Sequence, residues 1–204
     1  MINTLKHSSD SGLLRQEIIE AAHARFLTYG LNKTTMAEIA QDTSMSAANL
    51  YRYFKNKQEI ASACAARCMS NQNEHLQKMV RQKNLSAEQR LKTFAIESFR
   101  YHFEVLKDTP QINQLVENVT QNNPETVHIQ IKVQVALIAE ILAYGNETGE
   151  FSINNIIQSA ENIYSMLLLF DVPIFISLFS VEEFEEKADL IVGQIITGIK
   201  NRKN

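Results

Sequence analysis

Apolar residues recur every three or four positions along most of the chain, a spacing that predicts helices rather than strands. Leu14, Ile18, Ala22 and Phe26 form one such stripe, and Gly30 follows it where a helix would stop. Between residues 35 and 57 the pattern tightens into two short helices joined by a turn. Ile39, Ala40, Met45, Leu50 and Phe54 supply their small shared core. Thr35 with Glu38 and Asn56 with Glu59 fit capping boxes, and Ser46 suits the N-cap of the second short helix.

Beyond Asn56 a long helix is expected to about Lys83, followed by one opened by Ser86 with Gln89. That helix carries Leu91, Phe94, Ala95, Phe99, Phe103 and Leu106 on one side. Thr109-Pro110 should begin a shorter helix to about Asn122. Asn123-Pro124 should start the next, with Val127, Ile131, Val135, Ile138 and Leu142 inward and a loop from Gly145 to Glu150. Residues 153–179 read as one or two helices interrupted near Pro173, and Ser180 with Glu183 opens the last helix. About nine helices and scarce strand signals make the fold all-α, with no internal repeat. Residues 1–12, containing Ser8-Ser9-Asp10-Ser11-Gly12, read as a mobile tail. Residues 13–60 read as a helix-turn-helix domain and residues 61–204 as a second helical domain.

The second short helix turns Ala47, Asn49, Tyr51 and Arg52 away from the core. Short polar groups, a phenol and a guanidinium are suited to base edges and phosphates. The pattern Phe26, Gly30, Thr34-Thr35, Ile39-Ala40, Ser46, Leu50-Tyr51, Tyr53-Phe54 and Lys57 resembles the DNA-binding domain of the TetR family of bacterial transcriptional regulators. The resemblance spans roughly residues 13–60, and its several anchors at fixed spacing make it specific. It implies that Ser46, Ala47, Asn49 and Tyr51 face the groove and that Thr35, Tyr53 and Lys57 hold phosphates. Thr34 and Arg52 complete the DNA-contacting set. Ser44 and Ala48 stand where the family often has glycine; a positive φ at Ser44 would cost on the order of 1 kcal/mol.

Composition changes this picture little. The 204 residues are 45% hydrophobic and 21% charged, ordinary for a globular protein. The net charge of −3 is not that of a typical nucleic-acid binder, but residues 1–60 carry seven Lys and Arg against six Asp and Glu. Arg52, Lys55 and Lys57 cluster at the end of the reading helix, where short-range phosphate contact counts. No secretory signal opens the chain, and the apolar stretch Met166 to Val181, with its Pro173, falls short of a membrane span. A cytoplasmic protein with no membrane partner is expected.

Cys64 and Cys68 share a helix face, with His75 further along. Such an arrangement offers a redox or metal-responsive alternative, although no CxxC or histidine cluster supports a metal. Small core thiols are the simpler reading. No GxSxG, P-loop, dinucleotide glycine motif or HExxH is present, so no enzyme and no cofactor are expected. Phe99, His102, Phe103, Tyr144 and Tyr164 are the candidate contacts for a small effector in the second domain.

The resemblance implies a ligand-responsive repressor acting as a homodimer on a palindromic operator, its heads roughly 34–36 Å apart or somewhat more. An activator of the same fold, a helical enzyme or carrier, and an adaptor that never touches DNA are the rivals. The segment Leu167 to Phe179 and the face Ile191, Ile195 and Ile199 are the expected pairing surface.

Overall fold

Amphipathic stripes become nine helices among the residues described by the structure, a computed structural model covering 2–106, 111–171 and 178–200. These are α1 (Ile2–Tyr29), α2 (Met36–Asp42), α3 (Ala47–Tyr53), α4 (Lys57–Val80), α5 (Ala87–Leu106), α6 (Ile112–Asn122), α7 (Pro124–Glu147), α8 (Ile156–Asp171) and α9 (Val181–Ile199). The fold is all-α, with one isolated β-bridge between Phe151 and Lys200 among the described residues. The capping residues explain several starts. Thr35–Glu38 and Ser180–Glu183 form full capping boxes. The Ser86–Gln89 pair does the same, the Gln89 amide donating to Ser86 Oγ at 3.1 Å and the Ser86 amide to Gln89 Oε1 at 3.0 Å. Asn56 makes half a box: it accepts from the Glu59 amide at 2.9 Å, but the Glu59 carboxylate turns to the Lys55 amide.

Two expectations change. Residues 2–12, expected as a mobile tail, are helical and form the first turns of α1. Serine and glycine cost only about 0.5–1 kcal/mol each in a helix, and no proline interrupts the extension of one already nucleated. Gly145 does not open a loop but lies inside α7, at a position where a Cβ would collide with the ring of Phe151. The chain turns instead at Gly149, with φ +75°.

The chain divides into two units. The first is Met1–Cys68 with Asp108–Val127, so the head extends past residue 60 and recruits α6 from the middle of the sequence. Its core gathers Ile18, Ala22 and Phe26 of α1 with Ile39, Leu50, Phe54, Ile60 and Leu115 of α6. The side-chain oxygen of Gln114 accepts the Asn32 amide at 3.1 Å. Gly30, at φ +88°, leaves room for the side chains of Gln111 and Gln114.

The second unit is Met69–Lys107 with His128–Asn204. Phe99 stacks on Phe184 with ring centroids 3.9 Å apart, and Phe170 and Phe179 meet Phe184 edge-on. Burying each such ring contributes roughly 1.5–3 kcal/mol. Among the described residues one helix, α7, is long and apolar enough to cross a membrane by length and composition, yet it packs Leu137, Ile138, Ile141 and Leu142 into this core.

Candidate nucleic-acid interface and interior polar site

The helix-turn-helix is positioned by polar groups that act over short sequence distances. Thr35 caps α2: its Oγ1 accepts the Glu38 amide at 3.3 Å, and the Glu38 carboxylate accepts the Thr35 amide at 2.8 Å. The guanidinium of Arg25 on α1 braces both ends of α2, reaching Glu38 at 3.2 Å and Asp42 at 3.0 Å. Hydrogen bonds from Thr35 hold the Glu38 carboxyl below its ordinary range, and the bond from Arg25 does so for Asp42. After α2 the chain reverses through Ser44, at φ +54°. The Ser44 amide donates to the Gln41 carbonyl at 3.0 Å and the Met45 amide to the Ala40 carbonyl at 2.8 Å, a Schellman closure.

Ser46 caps α3 by accepting the Asn49 amide at 3.2 Å. Leu50 and Phe54 are buried, which turns Ala47, Ala48, Tyr51 and Arg52 into solvent and leaves Asn49 half-exposed at the rim. Tyr51 is 52% exposed, a large ring with no intramolecular reason to be there. Tyr53 is half-buried against the core.

Two of the expected DNA contacts face inward. Thr34 is buried, its Oγ1 donating to the Gly30 carbonyl at 2.9 Å. The Lys57 ammonium donates to the carbonyls of Leu31, Asn32 and Thr34 at 2.9, 3.1 and 2.9 Å. An ammonium has three N–H groups, and three carbonyls use them. Lys57 therefore ties the start of α4 to the α1–α2 loop and has no donor left for a phosphate. Arg52 and Lys55 remain as exposed cations beside α3.

The ligand candidates separate into three places. Phe99 is fully buried in the aromatic stack and Phe103 packs beside it at 5.7 Å. Tyr144 lies 3.9 Å under the Arg90 guanidinium. His102 and Tyr164 do come together, through Asp171. The Tyr164 hydroxyl donates to Asp171 Oδ2 at 2.9 Å, and His102 Nε2 lies 3.5 Å from Asp171 Oδ1. Burial first, then the Asp171 carboxylate, pushes the Tyr164 phenol well above its ordinary pKa, so it stays a donor.

Around this pair lie polar residues that periodicity alone did not single out: Gln72 and Asn73 of α4, and Gln130 and Gln134 of α7. One signal was available. Gln130 and Gln134 continue the buried series Leu137, Ile141 and Gly145 by one helical period, whereas Ile131 and Val135 of the expected stripe are only partly buried.

The cysteines sit in surroundings that hold their thiols protonated. Cys64 is buried, donates to the Ile19 carbonyl at 3.4 Å, and burial pushes its thiol up to about 12. Cys68 lies 3.4 Å from His23 Nε2 and is also raised by burial, while His75 pairs with Glu97 at 2.9 Å. Such surroundings disfavour thiolate. Among the described residues no group of three His, Cys, Asp or Glu could hold a metal.

Residues 18–64 match the family model described as bacterial regulatory proteins, tetR family. Residues 87–192 match that described as tetracyclin repressor-like, C-terminal domain. No curated protein matches the chain. Among solved structures, a TetR-family transcriptional regulator from Mesorhizobium loti is 19% identical with a TM-score of 0.74, the match covering 93% of this chain and 98% of that one. A transcriptional regulator from Cytophaga hutchinsonii is 25% identical with a TM-score of 0.69, covering 90% and 96%. The regulator RolR in complex with resorcinol is 15% identical with a TM-score of 0.62, covering 94% and 90%. With both domain types matched in order on the helices described above, this chain belongs to the TetR family of bacterial transcriptional regulators.

Proposed function

We propose that the protein is a cytoplasmic, ligand-responsive repressor that acts as a homodimer on a palindromic DNA operator. The observation that carries the reading is the outward face of α3, where Ala47, Tyr51 and Arg52 stand exposed beside Asn49 while Leu50 anchors the helix from behind. Asn49 and Tyr51 read base edges, and Arg52 with Lys55 meets phosphate. Lys57 serves by holding the loop. The response to a ligand is supported by the polar cluster inside the second unit and by a neighbour of the same fold that holds a small phenol.

Pairing is supported by the outer faces of α8 and α9. Ile157, Met166 and Leu168 are exposed on α8 and Leu190 on α9. Gly193 and Gly198 have open space where a Cβ would lie, so a partner helix can come close there. This shifts the expected surface. Leu167, Phe170 and Ile195 are consumed by the chain's own core, Ile191 and Ile199 pack against it, and Ile174 to Ile176 lie outside the described residues.

Selection from a random duplex pool followed by gel shift tests the reading. A single palindromic site should emerge, and Asn49→Ala should change the preferred bases at one position per half-site, a loss of roughly 1–3 kcal/mol in discrimination. Recovery of no preferred duplex overturns the assignment to DNA. Leu190→Glu should sediment as a monomer; a dimer of wild-type strength would move the interface elsewhere.

A further inference from the structure

The polar cluster of the second unit has a direction, and that direction ends at an atom with no partner. Asp171 is a carboxylate, and a carboxylate only accepts hydrogen bonds. Gln72 must therefore turn its NH2 toward Asp171 Oδ1, at 2.8 Å. That leaves Gln72 Oε1 to accept from Gln130 Nε2, at 3.1 Å. Gln130 Oε1 then accepts from Asn73 Nδ2 at 2.8 Å. Asn73 Oδ1 is left to accept, and it takes Gln134 Nε2 at 3.0 Å. Every amide is oriented by the one before it, so Gln134 presents its oxygen outward from the chain of bonds. Gln134 is 0% exposed, and its Oε1 is one of four buried side-chain atoms without a partner among the described residues. A flip of Gln134 alone would set two carbonyl oxygens against each other. Leaving a buried acceptor empty costs about 1–3 kcal/mol.

We propose that this oxygen is the anchor of the effector site, and that the effector is a small neutral or cationic molecule that donates an O–H or N–H to Gln134 Oε1. The proposal rests on the ligand-responsive reading above and gives its ligand a chemistry. An anion is disfavoured on two counts. Gln134 offers an acceptor rather than a donor, and the one ionised group in the hydrogen-bonded chain is Asp171, with no lysine or arginine among its members. His102 and Tyr164 fit the same scheme, since both lie against the carboxylate that sets the polarity.

The test compares aromatic probes of one size that differ in donor capacity: phenol, benzyl alcohol, benzamide and benzylamine against anisole, methyl benzoate and benzoate. Calorimetry and thermal shift on the full chain should show binding by one or more donors, and weaker binding by at least tenfold for anisole, methyl benzoate and benzoate. Gln134→Leu should weaken the donor by at least tenfold while the unliganded protein still folds, since Asn73 Oδ1 loses the Gln134 amide but keeps that of Gln130 at 3.2 Å. Gln134→Met repeats the measurement if the leucine variant does not fold. Three results overturn the proposal: no donor binds; benzoate or anisole binds as well as the donors; or both variants bind the donor like wild type.

Operator gel shifts separate this proposal from the reading beneath it. A compound that releases the operator equally from wild type and Gln134→Leu sinks the anchor and spares ligand response. Donor binding that depends on Gln134 yet leaves operator affinity untouched spares the site and sinks ligand response.

Discussion

The two units hold their polar side chains in different ways. In the reading head the partners are mostly near in sequence: Thr35 with Glu38, Ser46 with Asn49, Thr34 with Gly30. In the second unit they are remote: Gln72 and Asp171 are 99 residues apart, and Gln134 and Asn73 are 61 apart. Local bonds fix the entry and exit of each short helix, and Lys57 and Gln114 then tie the α1–α2 loop to α4 and α6. Remote bonds tie α4, α5, α7 and α8 to one another. Local caps suit the DNA-reading head, and the remote network suits the ligand response proposed above.

The largest expected effect comes from breaking the remote network at its centre. Gln72 contacts His102, Asp171 and Gln130 at once. Gln72→Leu leaves a buried carboxylate and two further polar groups short of partners, a loss of about 3 kcal/mol or more by the penalties for unsatisfied buried groups. Chemical denaturation should show that loss, and its size should exceed that of any single cap removal in the head, where about 1 kcal/mol is usual. A loss near the cap value would mean that the network is solvated and would erase the contrast between the units.

Next in size is Lys57→Met, which keeps the aliphatic stem and removes the ammonium. Three carbonyls of the α1–α2 loop lose their donor, and bonds to a charged group contribute roughly 1.5–3 kcal/mol. Stability should fall by about 2 kcal/mol, and operator affinity should fall with it for every sequence. The dependence of affinity on salt should keep its slope, because no phosphate contact is lost. A slope lower by about one unit would return Lys57 to the phosphate set.

This contrast also explains what could be read from the residues alone. Capping boxes, the Ser46 cap and the turn at Ser44 are legible because each is complete within about five residues. The inward turn of Lys57 was not, since its partners lie 23 to 26 residues away and an exposed lysine at that position is the ordinary assumption. The recruitment of α6 to the head was hidden for the same reason: Gln114 and Asn32 are 82 residues apart. The register of α7 was legible in principle. The expected stripe holds at Ile138 and Leu142 but runs one position off at Ile131 and Val135, because glutamines such as Gln130 and Gln134 do not count as core in a hydrophobic pattern.

The smallest effect concerns the strained turn of the head. Ser44 closes α2 with both bonds of a Schellman motif, yet it does so at φ +54°, where a Cβ crowds the backbone. The motif needs only the two amides, of Ser44 and Met45, and glycine would supply them without the crowding. Glycine is also more flexible when unfolded, which offsets part of the gain. The strain removed is on the order of 1 kcal/mol and the entropic offset about half of that. Ser44→Gly should therefore raise the melting temperature by about 1–3 °C. Operator affinity should stay within twofold, since α2 and α3 keep their crossing. A melting temperature that falls would show that Ser44 holds the turn through its side chain, and that the head too depends on a contact its local sequence does not reveal.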